Sequence, residues 1–257
     1  MTDRPAKPTI AQIREVSQPV SVTGRSNAEH WVADLYLRKI SPYLTRLLLA
    51  TPITANGVTY LMILTGVSIS GALLIPGYQG ILLALFLSQL QMLWDCCDGE
   101  IARWRNTQSP KGVFLDRIGH YLTESLIPVA FALRLSGWPS DTVTDWKLAF
   151  IGALISIMIL LNKGFNDIVH VARAFAGISK LSDSKESGAP SSGLLRVAKA
   201  PFRILAVQRL FHSVEMSIFI AIFGDNEELI RIGVYIALFV TVGHLVAILG
   251  SRKLDPR

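Results

Sequence analysis

Apolar residues gather in six long blocks, near 56–76, 78–101, 112–136, 147–168, 205–223 and 229–250, with short polar stretches between them. A helix needs about 20 such residues to cross a bilayer. The pattern therefore predicts an all-α membrane protein with six transmembrane helices. The second and third blocks are apolar at one end and charged at the other. Ahead of the first block, Ala28 to Leu49 mixes Trp31, Leu35, Tyr36, Ile40, Tyr43 and Leu44 with Arg38, Lys39 and Arg46. This pattern predicts an amphipathic helix lying in the interface, bent at Pro42. Residues 1–27 read as a polar tail of mixed charge, without the apolar core of a signal peptide, so insertion is expected to depend on the first span. The run SKLSDSKESGAPSSG at 179–193 reads as a flexible loop, and 251–257 as a short polar tail. One membrane domain over 28–250 is the expected organisation, with no internal repeat.

Composition agrees with this reading and adds an orientation. Hydrophobic residues make up 51% of the 257 positions and charged residues only 17%, against about 25% charged in a soluble domain. The net charge is +6, and its distribution explains it. Seven Lys or Arg precede the first span, three lie at 102–111, eight lie between Lys163 and Arg209, and three follow Gly250; with Arg117 that places 22 of the 25 on one side. Arg134, Lys147 and Arg231 fall towards the other, beside Asp141, Asp145, Asp225, Glu227 and Glu228. By the positive-inside rule both termini are cytoplasmic. The basic charge is then a topology signal, and no nucleic-acid partner is expected. Cys96 and Cys97 are adjacent, a poor geometry for a structural disulfide, and read as small packing residues.

The candidate chemistry lies in Asp95 to His120, DCCDGEIARWRNTQSPKGVFLDRIGH. Asp95, Asp98, Gly99 and Ala102 stand at i, i+3, i+4 and i+7, on one face of the helix that ends the second span. Gly112, Asp116 and His120 are spaced by four at the start of the third. A short loop makes the two helices antiparallel neighbours, so the faces can meet. Three carboxylates at one membrane-embedded point would repel one another, and a hard divalent cation relieves that repulsion. Oxygen ligands suit Mg²⁺ or Mn²⁺, which also bind phosphates. Gly99 and Gly112 leave room for a ligand near the backbone, and Arg103 can hold a phosphate.

This stretch resembles the signature of the CDP-alcohol phosphotransferases, DxxDGxxAR, eight residues, GxxxDxxxD. Asp95, Asp98, Gly99, Ala102, Arg103, Gly112 and Asp116 all match. Thr54-Ala-Asn-Gly-Val-Thr59 is similar to the family's TPNxxT segment, with Ala55 in place of proline, and implicates Asn56 in the site. The resemblance implies transfer of a phosphoalcohol from a CDP-linked donor, CDP-diacylglycerol or another CDP-alcohol, to a hydroxyl acceptor with release of CMP. It also implies phospholipid synthesis, a multi-pass position in the inner (plasma) membrane with the active site facing the cytoplasm, and a homodimer. Asp95, Asp98 and Asp116 would hold the metal.

One position departs from the pattern. The family's last aspartate, the usual general base, is His120 here. An imidazole suits a base at neutral pH; it can also ligate metal, or mark an inactive site. Glu124, one turn on, could fix the tautomer of His120, or could pair with another helix. Asn162, Asn166, His170, His212 and Glu215, with Lys163 and Asp167 beside them, are candidates for an acceptor pocket or for helix-to-helix hydrogen bonds. Two rival readings remain: an inactive membrane scaffold, and a metal-ion transporter.

Overall fold

The computed structural model describes residues 4–5, 7–19, 22, 32–139, 145–178, 210–251 and 254. The expected loop at 179–193, Arg209, Asp141, and the charged residues of 251–257 lie outside the described residues. Among the described residues the protein is helical, with no strand. The helices are α1 (Ile10–Ser17), α2 (Arg38–Leu49), α3 (Ala55–Leu73), α4 (Tyr78–Arg105), α5 (Pro110–Leu135), α6 (Trp146–Phe175), α7 (Ser213–Phe223) and α8 (Glu227–Leu249). A π-helical turn, Ala33–Leu37, runs directly into α2.

Local chemistry sets the helix ends. Thr54 caps α3, its Oγ1 accepting from Gly57 N at 3.0 Å. Ser109 caps α5 in the same way, accepting from Gly112 N at 3.1 Å, and Pro110 supplies the first helical position, where its missing N–H is no loss. Asn226 caps α8, with Glu227 and Glu228 in the first turn, where the helix dipole favours them. Helix α4 ends at Asn106, whose φ of 52° stops the helix.

Four of these helices, α3, α4, α6 and α8, are long and apolar enough to cross a membrane. They coincide with four of the six predicted spans. Helix α5, at 26 residues, covers a fifth; its first half carries Lys111, Asp116, Arg117, His120 and Glu124. Helix α7 covers the end of the sixth with 11 residues, and positions 205–209 lie outside the described residues.

The chain divides into two compact units. The first comprises Met1–Ser68 and Phe86–Leu122, the second Ile69–Leu85 and Thr123–Arg257. In the first unit, Ala55, Val58, Cys97 and Ile101 form a buried cluster joining α3 to α4, with Ala102, Leu44 and Leu48 packed against it. Both cysteines are free and buried, as packing residues should be. Gly119 allows α5 to lie close to α3: a Cβ there would stand 2.3 Å from Met62 Cε and 2.9 Å from Ile63 Cγ1.

Helix α2 inverts the arrangement of a soluble helix. Its polar residues Ser41 and Thr45 are fully buried, while Ile40, Tyr43 and Leu47 are exposed along one stripe. Pro42 sits inside the helix without ending it. Proline cannot donate to the carbonyl four residues back, and that carbonyl, of Arg38, accepts instead from Gln18 Nε2 at 2.8 Å. The first 27 residues, read as a tail, thus include a helix packed on the domain. Thr9 and Gln12 form a capping box at its start, and Ile13 and Ser17 are fully buried.

In the second unit, Arg134 joins two loops. Its guanidinium donates to the carbonyls of Leu73 (3.1 Å), Ile75 (2.6 Å) and Gly77 (3.0 Å) and to Asp225. Gly152 of α6 faces α5, where a Cβ would meet Ala132 Cβ at 2.5 Å and the Pro128 carbonyl at 2.7 Å.

Candidate active site

The antiparallel pair α4 and α5 brings Asp95, Asp116 and His120 together, as their helical spacing requires. One ligand atom from each lies within 4.8 Å of the others. His120 Nε2 stands 3.1 Å from Asp95 Oδ1 and 3.6 Å from Asp116 Oδ1. The side chains are partly exposed, Asp95 at 26%, His120 at 21% and Asp116 at 42%. A ligand can therefore reach them. Asp98 is oriented separately: its Oδ2 accepts from Thr59 Oγ1 at 2.7 Å. Thr59 belongs to the Thr54–Thr59 segment at the start of α3, so that segment's last residue orients a motif carboxylate.

Side chains lie close to both motif glycines. A Cβ on Gly99 would lie 3.1 Å from Arg103 Nη1 and 3.2 Å from Nη2, so the space above Gly99 holds the guanidinium of Arg103. A Cβ on Gly112 would lie 3.3 Å from Asn56 Oδ1, so Asn56 reaches the first turn of α5 across that glycine. Ala102 packs on the cluster around Cys97 and Ile101. Arg103 donates from Nε to the Ser17 carbonyl at 2.6 Å.

Glu124 lies in the second unit with a nearly buried side chain. Lys163 Nζ is 2.6 Å from its Oε2, and His212 Nδ1 is 3.2 Å from its Oε1. Of the two roles open to Glu124, pairing with neighbouring helices is thus realised, and through it Lys163 and His212 converge. Asn162 meets His244 Nδ1 at 2.9 Å, and Phe165 meets the same ring edge-on. These contacts join α6 to α8. An apolar cavity in the same unit is lined by Ile127, Phe131, Ile155, Met216, Phe219 and Ile230 among others.

Sequence reading overlooked Glu100. Its side chain is fully buried and accepts from Ser41 Oγ at 2.5 Å, Thr45 Oγ1 at 2.6 Å and Gln18 Nε2 at 2.8 Å. Arg38 Nη1 lies 3.6 Å away. A buried carboxylate is tolerated when its lone pairs are met in this way. A signal was present: Glu100 falls inside the apolar block 78–101, where a bare carboxylate demands a partner.

Two carboxylates and an imidazole also form a donor set that fits a divalent cation: hard oxygens for Mg²⁺ or Mn²⁺, with a nitrogen that Mn²⁺ accepts readily. Asp95, Asp116 and His120 thus form a candidate divalent-metal site in a protein with four helices long and apolar enough to cross a membrane. The family model for CDP-alcohol phosphatidyltransferase matches residues 52–242, about three-quarters of the chain, and the chain belongs to that family. Members transfer a phosphoalcohol from a CDP-alcohol in lipid synthesis and depend on a divalent metal. No curated protein sequence matches the chain.

Proposed function

We propose that this protein is an active transferase that moves a phosphatidyl or related lipid phosphoalcohol from a CDP-linked donor to an acceptor hydroxyl, releasing CMP. The observation that carries the reading is the convergence of Asp95, Asp116 and His120 within 4.8 Å. Asp95, Asp98 and Asp116 would hold the Mg²⁺ or Mn²⁺, which when bound neutralises the donor pyrophosphate and the charge developing on it. Thr59 holds Asp98 in place for that task. Arg103 contributes a fixed positive charge to the same phosphates. His120 takes the proton from the acceptor hydroxyl as that oxygen attacks the phosphorus bearing the alcohol, and the bond to CMP breaks. Asn56, Gly99, Ala102 and Gly112 set the backbone spacing around these groups.

A second reading of His120 has a specific observation behind it. The ligand-atom group contains His120 itself, so the ring can serve as a metal ligand through Nε2. The two roles separate experimentally.

The remaining parts of the proposal concern placement. In this reading α5 and α7 complete the four clear spans, an even number that leaves both termini on one side, and the Lys/Arg excess on that side supports the cytoplasmic face of an inner (plasma) membrane. The exposed Ile40–Tyr43–Leu47 stripe of α2 supports its lying on the membrane surface. A homodimer is the expected assembly. The deciding experiment is CMP release by purified protein from CDP-diacylglycerol and a panel of CDP-alcohols, with Mn²⁺ or Mg²⁺ and with EDTA. No release from any donor with any metal would leave the inactive-scaffold reading; full activity in EDTA would remove the metal.

A further inference from the structure

The segment before residue 20 makes a set of contacts that converge on one motif residue. Arg4 donates to the carbonyl of Arg103 at 2.5 Å and to that of Trp104, and its guanidinium lies 5.7 Å from the Trp104 ring centroid. It therefore caps the C-terminal end of α4, where carbonyls lack helical partners and positive charge is favoured. At the other end of the arm, Ser17 Oγ donates to the Glu100 carbonyl at 3.1 Å. Gln18 Nε2 bridges the Glu100 carboxylate, at 2.8 Å, and the Arg38 carbonyl that Pro42 leaves without a helical donor, at 2.8 Å. Between them, the Ser17 carbonyl receives Arg103 Nε at 2.6 Å.

The consequence is mechanical. Glu100 and Arg103 are three residues apart on α4, so they share a face. Glu100 is immobilised by Ser41, Thr45 and Gln18 and is fully buried. Gln18 is thereby fixed, and with it the adjoining carbonyl of Ser17. That carbonyl holds the Nε edge of Arg103 and bends the guanidinium over Gly99. Arginine has many rotamers, and ordering one of them takes free energy that a phosphate would otherwise have to supply.

We propose that the arm 4–18 belongs to the donor site, with Gln18 and Glu100 as positioning residues that preset Arg103 for the donor's phosphates. This rests on the reading of Arg103 given above. Gln18→Ala removes the side-chain anchor beside the Ser17 carbonyl, leaving the Gln18 N–H bond to the Arg14 carbonyl at 2.9 Å and the Ser17 Oγ bond to the Glu100 carbonyl, and leaves no buried charge. It should weaken CDP binding and raise the donor KM about tenfold, the low end for a hydrogen bond to a charged group. The acceptor KM should not move, and kcat should stay within about twofold. Glu100→Ala should act in the same direction. Glu100→Gln should recover most of the affinity, because an amide oxygen still accepts from Gln18 and the hydroxyls of Ser41 and Thr45 can turn to suit the amide.

The test is calorimetric titration of CDP, with Mn²⁺ present, into the purified full-length protein and its variants, with donor and acceptor kinetics alongside. The decisive comparison is Gln18→Ala made alone and on top of Arg103→Ala. If the arm acts through Arg103, the second substitution adds nothing to the first loss. An unchanged CDP affinity in Gln18→Ala, with a clear loss in Arg103→Ala, overturns the arm's role and leaves the transferase reading standing. An equal loss from Gln18→Ala on both backgrounds also overturns it. Wild-type protein that binds no CDP overturns both.

Discussion

His120 offers the sharpest test, because its competing roles predict different magnitudes. Its Nε2 lies 3.1 Å from Asp95 Oδ1. Suppose it only orients Asp95. A hydrogen bond to a charged partner contributes about 1.5–3 kcal/mol, so His120→Ala would slow the reaction by roughly 10- to 150-fold. Loss of a general base typically costs about 10²- to 10⁴-fold. His120→Gln removes the overlap between these ranges. Its amide nitrogen reaches nearly as far as Nε2 and can still donate to Asp95, but it cannot accept a proton. Orientation alone predicts near-recovery in His120→Gln; a base predicts that it stays as slow as His120→Ala. His120→Asp restores a proton acceptor and should retain measurable activity, with the acidic limb of the pH–rate profile moved down, since a carboxylate ordinarily titrates near 4 and an imidazole near 6.5. If His120 is a ligand, His120→Ala should raise the Mn²⁺ needed for half activity by at least about tenfold, and excess Mn²⁺ should restore the rate. The assay is CMP release at saturating donor across pH and metal concentration. A His120→Ala rate equal to wild type at every pH and metal concentration would refute all three roles.

The other expectations are separate. Asp95→Ala, Asp98→Ala and Asp116→Ala should each abolish CMP release, and EDTA should do so reversibly; an active Asp116→Ala would remove that carboxylate from the metal site. A reporter fused after Arg257 should be cytoplasmic and a cysteine at position 141 labelled from outside, and the reverse labelling would put the active site on the wrong face. Lys163→Met leaves the nearly buried Glu124 carboxylate without its 2.6 Å partner and should lower stability by about 3–5 kcal/mol, while the double variant Glu124→Gln/Lys163→Met should recover much of the lost melting temperature in detergent. Gly152→Ala forces a Cβ to within 2.5 Å of Ala132 Cβ and 2.7 Å of the Pro128 carbonyl. Overpacking of about 1–3 kcal/mol outweighs the gain in helix propensity of up to about 1 kcal/mol. The melting temperature should fall, and a rise would mean that α5 and α6 separate at little cost.

Much of this protein follows from periodicity. A span needs only a run of apolar residues, so α3, α4 and α8 were readable within a few positions, while α6 runs seven residues past the predicted end, to Phe175. The meeting of Asp95 with Asp116 and His120 was readable too, because the 3.6-residue repeat and a short loop leave an antiparallel pair little choice. Polar residues at the edges were different. The role of Gly99 depends on where the Arg103 guanidinium folds, and that is decided by the Ser17 carbonyl, 86 positions away. The first 27 residues have the composition of a tail, yet Thr9 and Gln12 form the capping box of α1, a local signal that could have been read. Its docking could not. The carboxylate of Glu100 draws its donors from Gln18 and from Ser41 and Thr45 of α2, two segments distant in the chain from it. Glu124 likewise had two possible partners in sequence, and the packing of α6 and the start of α7 selected Lys163 and His212. Apolar burial depends on how many such residues a segment carries, and so composition reveals it. A buried hydrogen bond depends on distance and direction between particular atoms, and only the folded chain supplies those.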